Sequence, residues 1–146
     1  MTRVAIDITI HRPPEEVFAF ISHFENNPQW QGGVIKAWLT SPGPLAADST
    51  LTQRSRFLGR DIEFHFKVLR FEPGRLAEFA TESGTFPVQI LREVEAVPEG
   101  TRVRALITGE PGSVFKLAAP LVDSLTKRQI EADYAKLKAL LESRSA

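Results

Sequence analysis

The sequence predicts an α+β fold: a curved seven-stranded antiparallel sheet wrapped around a long C-terminal helix, with two short helices between strands one and two. Three observations predict it. Apolar and polar residues alternate over 4–10, and again through most of 34–110. Breaks of hairpin length containing Gly or Pro separate the alternating runs, which makes sequential strands antiparallel neighbours. From residue 113 onward the apolar period changes from that of a strand to that of a helix.

In the first run Val4, Ile6, Ile8 and Ile10 share one face, opposite Ala5, Asp7 and Thr9, as in a half-buried strand. His11-Arg12-Pro13-Pro14 ends it. Pro14 suits the first turn of a helix, and Glu15 and Glu16 favour the positive end of its dipole. Val17, Ile21 and Phe24 follow at helical spacing, with Phe18 and Phe20 widening the stripe. Asn26-Asn27-Pro28 interrupts this helix, and Trp30-Gln31-Gly32-Gly33 turns the chain. Strands are expected at about 34–41, 49–58, 61–71, 75–83, 86–96 and 101–110. The clearest alternation sets Ile62, Phe64, Phe66 and Val68 against Asp61, Glu63, His65 and Lys67, so one sheet face is buried and the other wet. The last helix is expected over 113–143, with Ser113 as its N-cap. Val114, Leu117, Leu121 and Leu125 form one stripe, and Ile130, Tyr134, Leu137 and Leu141 a second after a slip in period. Pro120 lies inside the pattern and is expected to kink or break the helix locally.

The chain has 146 residues, 42% apolar and 25% charged, which fits one domain over 1–146 with no linker. Lys and Arg total 18 and so do Asp and Glu, so the basic excess of a general nucleic-acid binder is missing. The absence of cysteine excludes disulfides, thiolate metal ligands and a cysteine nucleophile. There is no signal-like N-terminal segment and no apolar run of about 18 residues, so no transmembrane segment is expected. A cytoplasmic monomer or homodimer is the expectation.

Four stretches carry a likeness to a known family. They are Ile8 to Ile21, with Pro13-Pro14-Glu15-Glu16 at its centre; Asn27-Pro28-Gln29-Trp30; Glu99-Gly100-Thr101-Arg102-Val103; and Leu117 to Glu142. In that order and spacing the chain resembles the polyketide cyclase/dehydrase and lipid-transport branch of the START-like (SRPBCC) superfamily. Ser22-His23-Phe24 departs from the pattern, because many relatives carry an aspartate there. The resemblance implies a helix-grip fold with a cavity for small apolar ligands between sheet and long helix. It does not imply a single activity.

Metal ligation is not expected: His11, His23 and His65 lack helical ligand spacing and a completing carboxylate set. Neither a phosphate-binding glycine motif nor a serine-nucleophile motif occurs, so no cofactor is indicated. Strand parity puts Gln53 and Phe57 on one inner face, and Ile90 and Arg92 on another. Trp30, Trp38, Phe64, Phe66, Phe79, Phe115 and Leu121 are the further expected wall residues. A buried Arg92 needs a partner, which Glu78 or a ligand carboxylate could supply; otherwise Arg92 is a rim residue. The expected function is binding of a small hydrophobic molecule. The alternatives are an enzyme of cyclase, aromatase or dehydratase type using His23, Glu78 and Arg92, and an interaction subunit with a filled core.

Overall fold

A computed structural model describes residues 2–84, 86–111 and 119–144. Strand β1 (Thr2–Ile10) leads into α1 (Pro14–Ser22), a 3-10 turn (Phe24–Asn26) and the single-turn α2 (Asn27–Trp30). Then come β2 (Val34–Leu39), β3 (Thr50–Phe57), β4 (Arg60–Glu72), β5 (Leu76–Gly84), β6 (Val88–Val97) and β7 (Gly100–Gly109), followed by α3 (Ala119–Glu142). The seven strands form one antiparallel sheet in the order β1-β7-β6-β5-β4-β3-β2. β1 adds to the far edge of the β2–β7 meander, pairing antiparallel with β7 from Thr2↔Gly109 to Ile10↔Thr101. Among the described residues no helix is long and apolar enough to cross a membrane.

Charges on the outer face match the register. Arg54 meets Glu63 at 3.0 Å, Arg70 meets Glu78 at 2.8 Å, and Arg102 meets Asp7 at 2.5 Å and Glu95 at 3.5 Å. These pairs face solvent, where water and salt screen them, so each adds little to stability. Their larger effect is on pairing, because a one-residue slip would place each charge on the apolar face.

The apolar face carries two separate core clusters. Around α1 and the C-terminal half of α3 sit Ile6, Ile10, Ile21, Trp30, Val103 and Leu137. Around β3, β4 and β5 sit Leu51, Phe64, Phe66, Phe79, Phe86 and Val122. Phe71 packs against both.

The described part of α3 starts at Ala119, and the residues before it, on which the expected kink or break at Pro120 depends, lie outside the described residues. Two helix expectations are corrected. Leu121 is 48% exposed and points away from the sheet. The slip in period is absent: Val122, Thr126, Gln129, Asp133 and Leu137 form one continuous inward row, with polar residues where the apolar stripe seemed to fail. Ser113, Val114, Phe115 and Leu117 lie outside the described residues.

Gly100 makes the β6–β7 turn at φ +138°, in the region that favours glycine, and a Cβ there would sit 2.4 Å from the Ile10 carbonyl oxygen. Gly100→Ala is expected to lower stability by about 1–3 kcal/mol, measured as a reduced denaturant midpoint. Gly74 also has positive φ but open space around it, so Gly74→Ala should cost less, through backbone strain alone.

Candidate functional site

Between the two core clusters lies a cavity of about 180 Å³. Its sheet side comes from inward positions of β3, β4, β6 and β7, where alternation presents Phe57, Ile62, Phe64, Val88, Ile90 and Ile107. Trp30 and Gln31 close one end, and Thr126, Gln129, Ile130, Asp133 and Tyr134 of α3 form the roof. A cavity of about 150 Å³ with such a wall is enough to hold a benzene ring. The space therefore suits one ring with a short substituent, or a short acyl chain, and is smaller than the roughly 300–1,000 Å³ of drug-sized pockets.

Arg92 is the charged group at the inner end. It pairs with Ala77 and Ala105 across the sheet, so its side chain points inward among small neighbours, and it is only 5% exposed. Its Nε donates to the Tyr134 hydroxyl at 2.9 Å. Its guanidinium lies 5.2 Å from the Trp30 ring, 5.4 Å from Phe79 and 6.0 Å from Tyr134. Such cation–π contacts are worth about 0.5–2 kcal/mol each and offset part of the cost of burying the charge. Among the described residues no Asp or Glu oxygen lies within 4.0 Å of this guanidinium.

Asp133 faces the same space from α3. Its Oδ1 accepts from the Gly32 backbone N–H at 3.0 Å and from Gln129 Nε2 at 2.7 Å. Burial pushes its carboxyl above the usual aspartate value, against the opposing pull of those two donors. Nearby, Asn27 Nδ2 donates to Gln53 Oε1 at 2.9 Å. Trp30 Nε1 and Gln31 Nε2 are buried donors with no acceptor among the described residues.

The expected wall residues divide into three groups. Trp30, Gln53, Phe57, Phe64, Ile90 and Arg92 line the cavity. Phe66 and Phe79 pack behind the wall, edge to face at 5.4 Å. Trp38 and Leu121 are directed elsewhere. Trp38 alternates with the buried Ala37 and so lies on the outer face, with Lys36 Nζ 5.0 Å and Arg54 Cζ 5.9 Å from its ring. Leu121 precedes the inward row of α3 by one position, which turns it to solvent.

The three candidate acid/base residues do not converge. Glu78 is on the outer face, held by Arg70 at 2.8 Å and Gln89 at 3.1 Å. His23, between α1 and the 3-10 turn, has a side chain 64% exposed, with Glu25 at 3.8 Å. Only Arg92 reaches the cavity, so its partner is not Glu78. Asp133 and Tyr134 were not among the expected site residues. The spacing Val122, Thr126, Gln129, Asp133, Leu137 is helical throughout and identifies Asp133 once polar residues are admitted to an inward face, while Tyr134 belongs to the apolar stripe with Ile130, Leu137 and Leu141.

The sequence matches the family described as polyketide cyclase/dehydrase and lipid transport over residues 1–142. No curated protein matches it. Several solved structures share the fold. TTHA0849 from Thermus thermophilus is 18% identical with a TM-score of 0.78, covering 97% of this chain and 99% of that one. A START superfamily protein from Mycobacterium smegmatis is 15% identical with a TM-score of 0.77, covering 97% and 98%. The Zhui aromatase/cyclase from Streptomyces sp. R1128 is 13% identical with a TM-score of 0.76, covering 97% and 94%.

The geometry around Arg92 and Asp133 makes two predictions. Tyr134→Phe strips Arg92 of its hydrogen-bond acceptor and should cost about 1–3 kcal/mol in denaturant unfolding. Arg92→Met removes the buried charge itself and should cost less than Tyr134→Phe, or stabilise. A folded-state pKa raised above the unfolded value means that the native protein binds the extra proton, so the Asp133 contribution falls as pH rises from about its ordinary 3.8 through the raised value. Asp133→Asn should flatten that fall in melting temperatures measured between acid and neutral pH, because Asn keeps an oxygen for Gly32 and Gln129.

Proposed function

We propose that this chain, which belongs to the polyketide cyclase/dehydrase and lipid-transport family, is a binding module that takes one small apolar molecule between its sheet and α3. The observation that carries this reading is the split core. Two packed clusters leave a space of about 180 Å³ between them, walled by aliphatic and aromatic side chains. Burial of apolar ligand surface at about 25 cal/mol per Å² is then the driving force. A filled-core interaction subunit does not agree with such a space. The exposed large apolar residues, among them Ile35, Leu58 and Leu69, come from different strands and turns.

A second reading has one observation in its favour. Asp133, its carboxyl raised by burial, shares the cavity with Tyr134 and Arg92, and such a group could exchange a proton with a bound substrate. An enzyme of the cyclase or dehydratase type would then use Asp133 rather than His23 or Glu78. Turnover of a bound polyketone that disappears in Asp133→Asn, with binding retained, would select this reading over simple binding.

The binding reading predicts saturable heat when toluene or naphthalene is titrated into the protein. Ile90→Trp, which fills the cavity, should abolish that heat while leaving the far-ultraviolet circular dichroism unchanged; Val88→Phe is the milder version. If the wild-type protein takes up neither hydrocarbon, and native mass spectrometry of the protein as purified shows only the bare chain, the reading fails.

A further inference from the structure

We infer that the molecule held in the cavity is a monocarboxylate, with its apolar body against the sheet and its carboxylate on the guanidinium of Arg92. This rests on the binding reading above and names the ligand's chemical class. The reasoning starts from the unmet chemistry of one side chain. Arg92 is 5% exposed, and its only hydrogen bond to a described residue leaves from Nε to Tyr134. Neither Nη atom has a protein acceptor among the described residues, yet neither is among their sealed, unpartnered buried atoms. Arg92 also lines the cavity. The Nη edge of the guanidinium therefore meets the cavity, and a planar fork of that kind matches a carboxylate with two parallel hydrogen bonds.

The surroundings select a carboxylate from among the acceptors. The aromatic rings of Trp30, Phe79 and Tyr134 attract the cation but accept few of its protons, so a neutral carbonyl would leave the charge uncompensated. Of the other ionisable groups on the wall, Arg56 is engaged with Asp61 at 3.3 Å on the outer face. Asp133 is committed through Oδ1 to Gly32 and Gln129. Neither Asp133 oxygen lies within 4.0 Å of the Arg92 guanidinium, so that cation still calls for an anionic partner, and the apolar wall for a ring or short chain behind it. A free inorganic anion would leave that wall unused.

The test compares trans-cinnamate with trans-cinnamamide, which share shape and differ in charge. In the wild-type protein near neutral pH, cinnamate should bind at least about tenfold more tightly. It should also shift the Arg92 Nε–H resonance more than the amide does. In Arg92→Gln the preference should vanish while cinnamamide still binds; Arg92→Lys, which keeps the charge but not the fork, should retain part of it. Equal affinities for the two compounds in the wild type overturn the carboxylate assignment and leave the apolar-ligand reading standing. So does binding of naphthalene without either cinnamyl compound. Failure of all three to bind overturns the carboxylate assignment, and overturns the binding reading as well when native mass spectrometry of the protein as purified shows only the bare chain. Because the wild-type comparison and the Arg92 resonance need no variant, an Arg92→Gln chain that does not fold leaves the test decisive.

Discussion

The architecture depends on a mismatch of width. Seven strands spaced at about 4.8 Å make a sheet about 30 Å across, whereas a helix with its side chains is about 10–12 Å wide. A single helix cannot cover the apolar face of such a sheet if the sheet stays flat. The sheet must curl, and β1, which carries the first apolar run of the chain, extends it beyond β7. Even curled, the face is not fully met by α3. The remaining area is filled on one side by α1 and Trp30, and on the other by phenylalanines that the sheet supplies to itself, Phe64, Phe66, Phe79 and Phe86. The cavity is the space that neither solution reaches.

Arg92 sits where those two solutions meet. A guanidinium at that point is costly in a dry interior, and the protein answers with a hydroxyl and three ring faces rather than with a carboxylate. Aromatic faces moderate the charge without saturating its donors. The result is a cation held firmly on one side and open on the other. The outer face uses the opposite arrangement. There Arg54, Arg70, Arg102 and Arg104 are each met by an acidic residue across the strands, and water screens what remains.

Much of this was legible in the chain. Strict alternation in β1 and β4 put Val4, Ile6, Phe64 and Phe66 on the correct face, because a half-buried strand admits no other reading. Gln53, Phe57, Ile90 and Arg92 reached the cavity wall by the same parity. Trp38 misled because a large aromatic on a strand suggests burial, while here its ring is covered by Lys36 and Arg54 from outside. Glu78 was ambiguous because Leu76, Ala77 and Phe79 are all buried around it, and a register shift in the β4–β5 pairing between Val68 and Arg70 breaks the simple alternation. The helix row was misread for a different reason. An amphipathic pattern is recognised by its apolar members, so Thr126, Gln129 and Asp133 looked like an interruption.

By itself the sequence determined the element order, the antiparallel pairing of neighbours and the face each regular strand buries, since these follow from local periodicity and turn chemistry. It also determined that an inward Arg92 would need a partner. Only the tertiary structure decided that Glu78 is not that partner, that Asp133 and Tyr134 share its cavity, and that the core divides in two. Those outcomes depend on how far the sheet curls and at what height α3 crosses it, quantities set by packing between residues distant in the chain. Arg92 and Tyr134, 42 positions apart, meet only once that packing is complete.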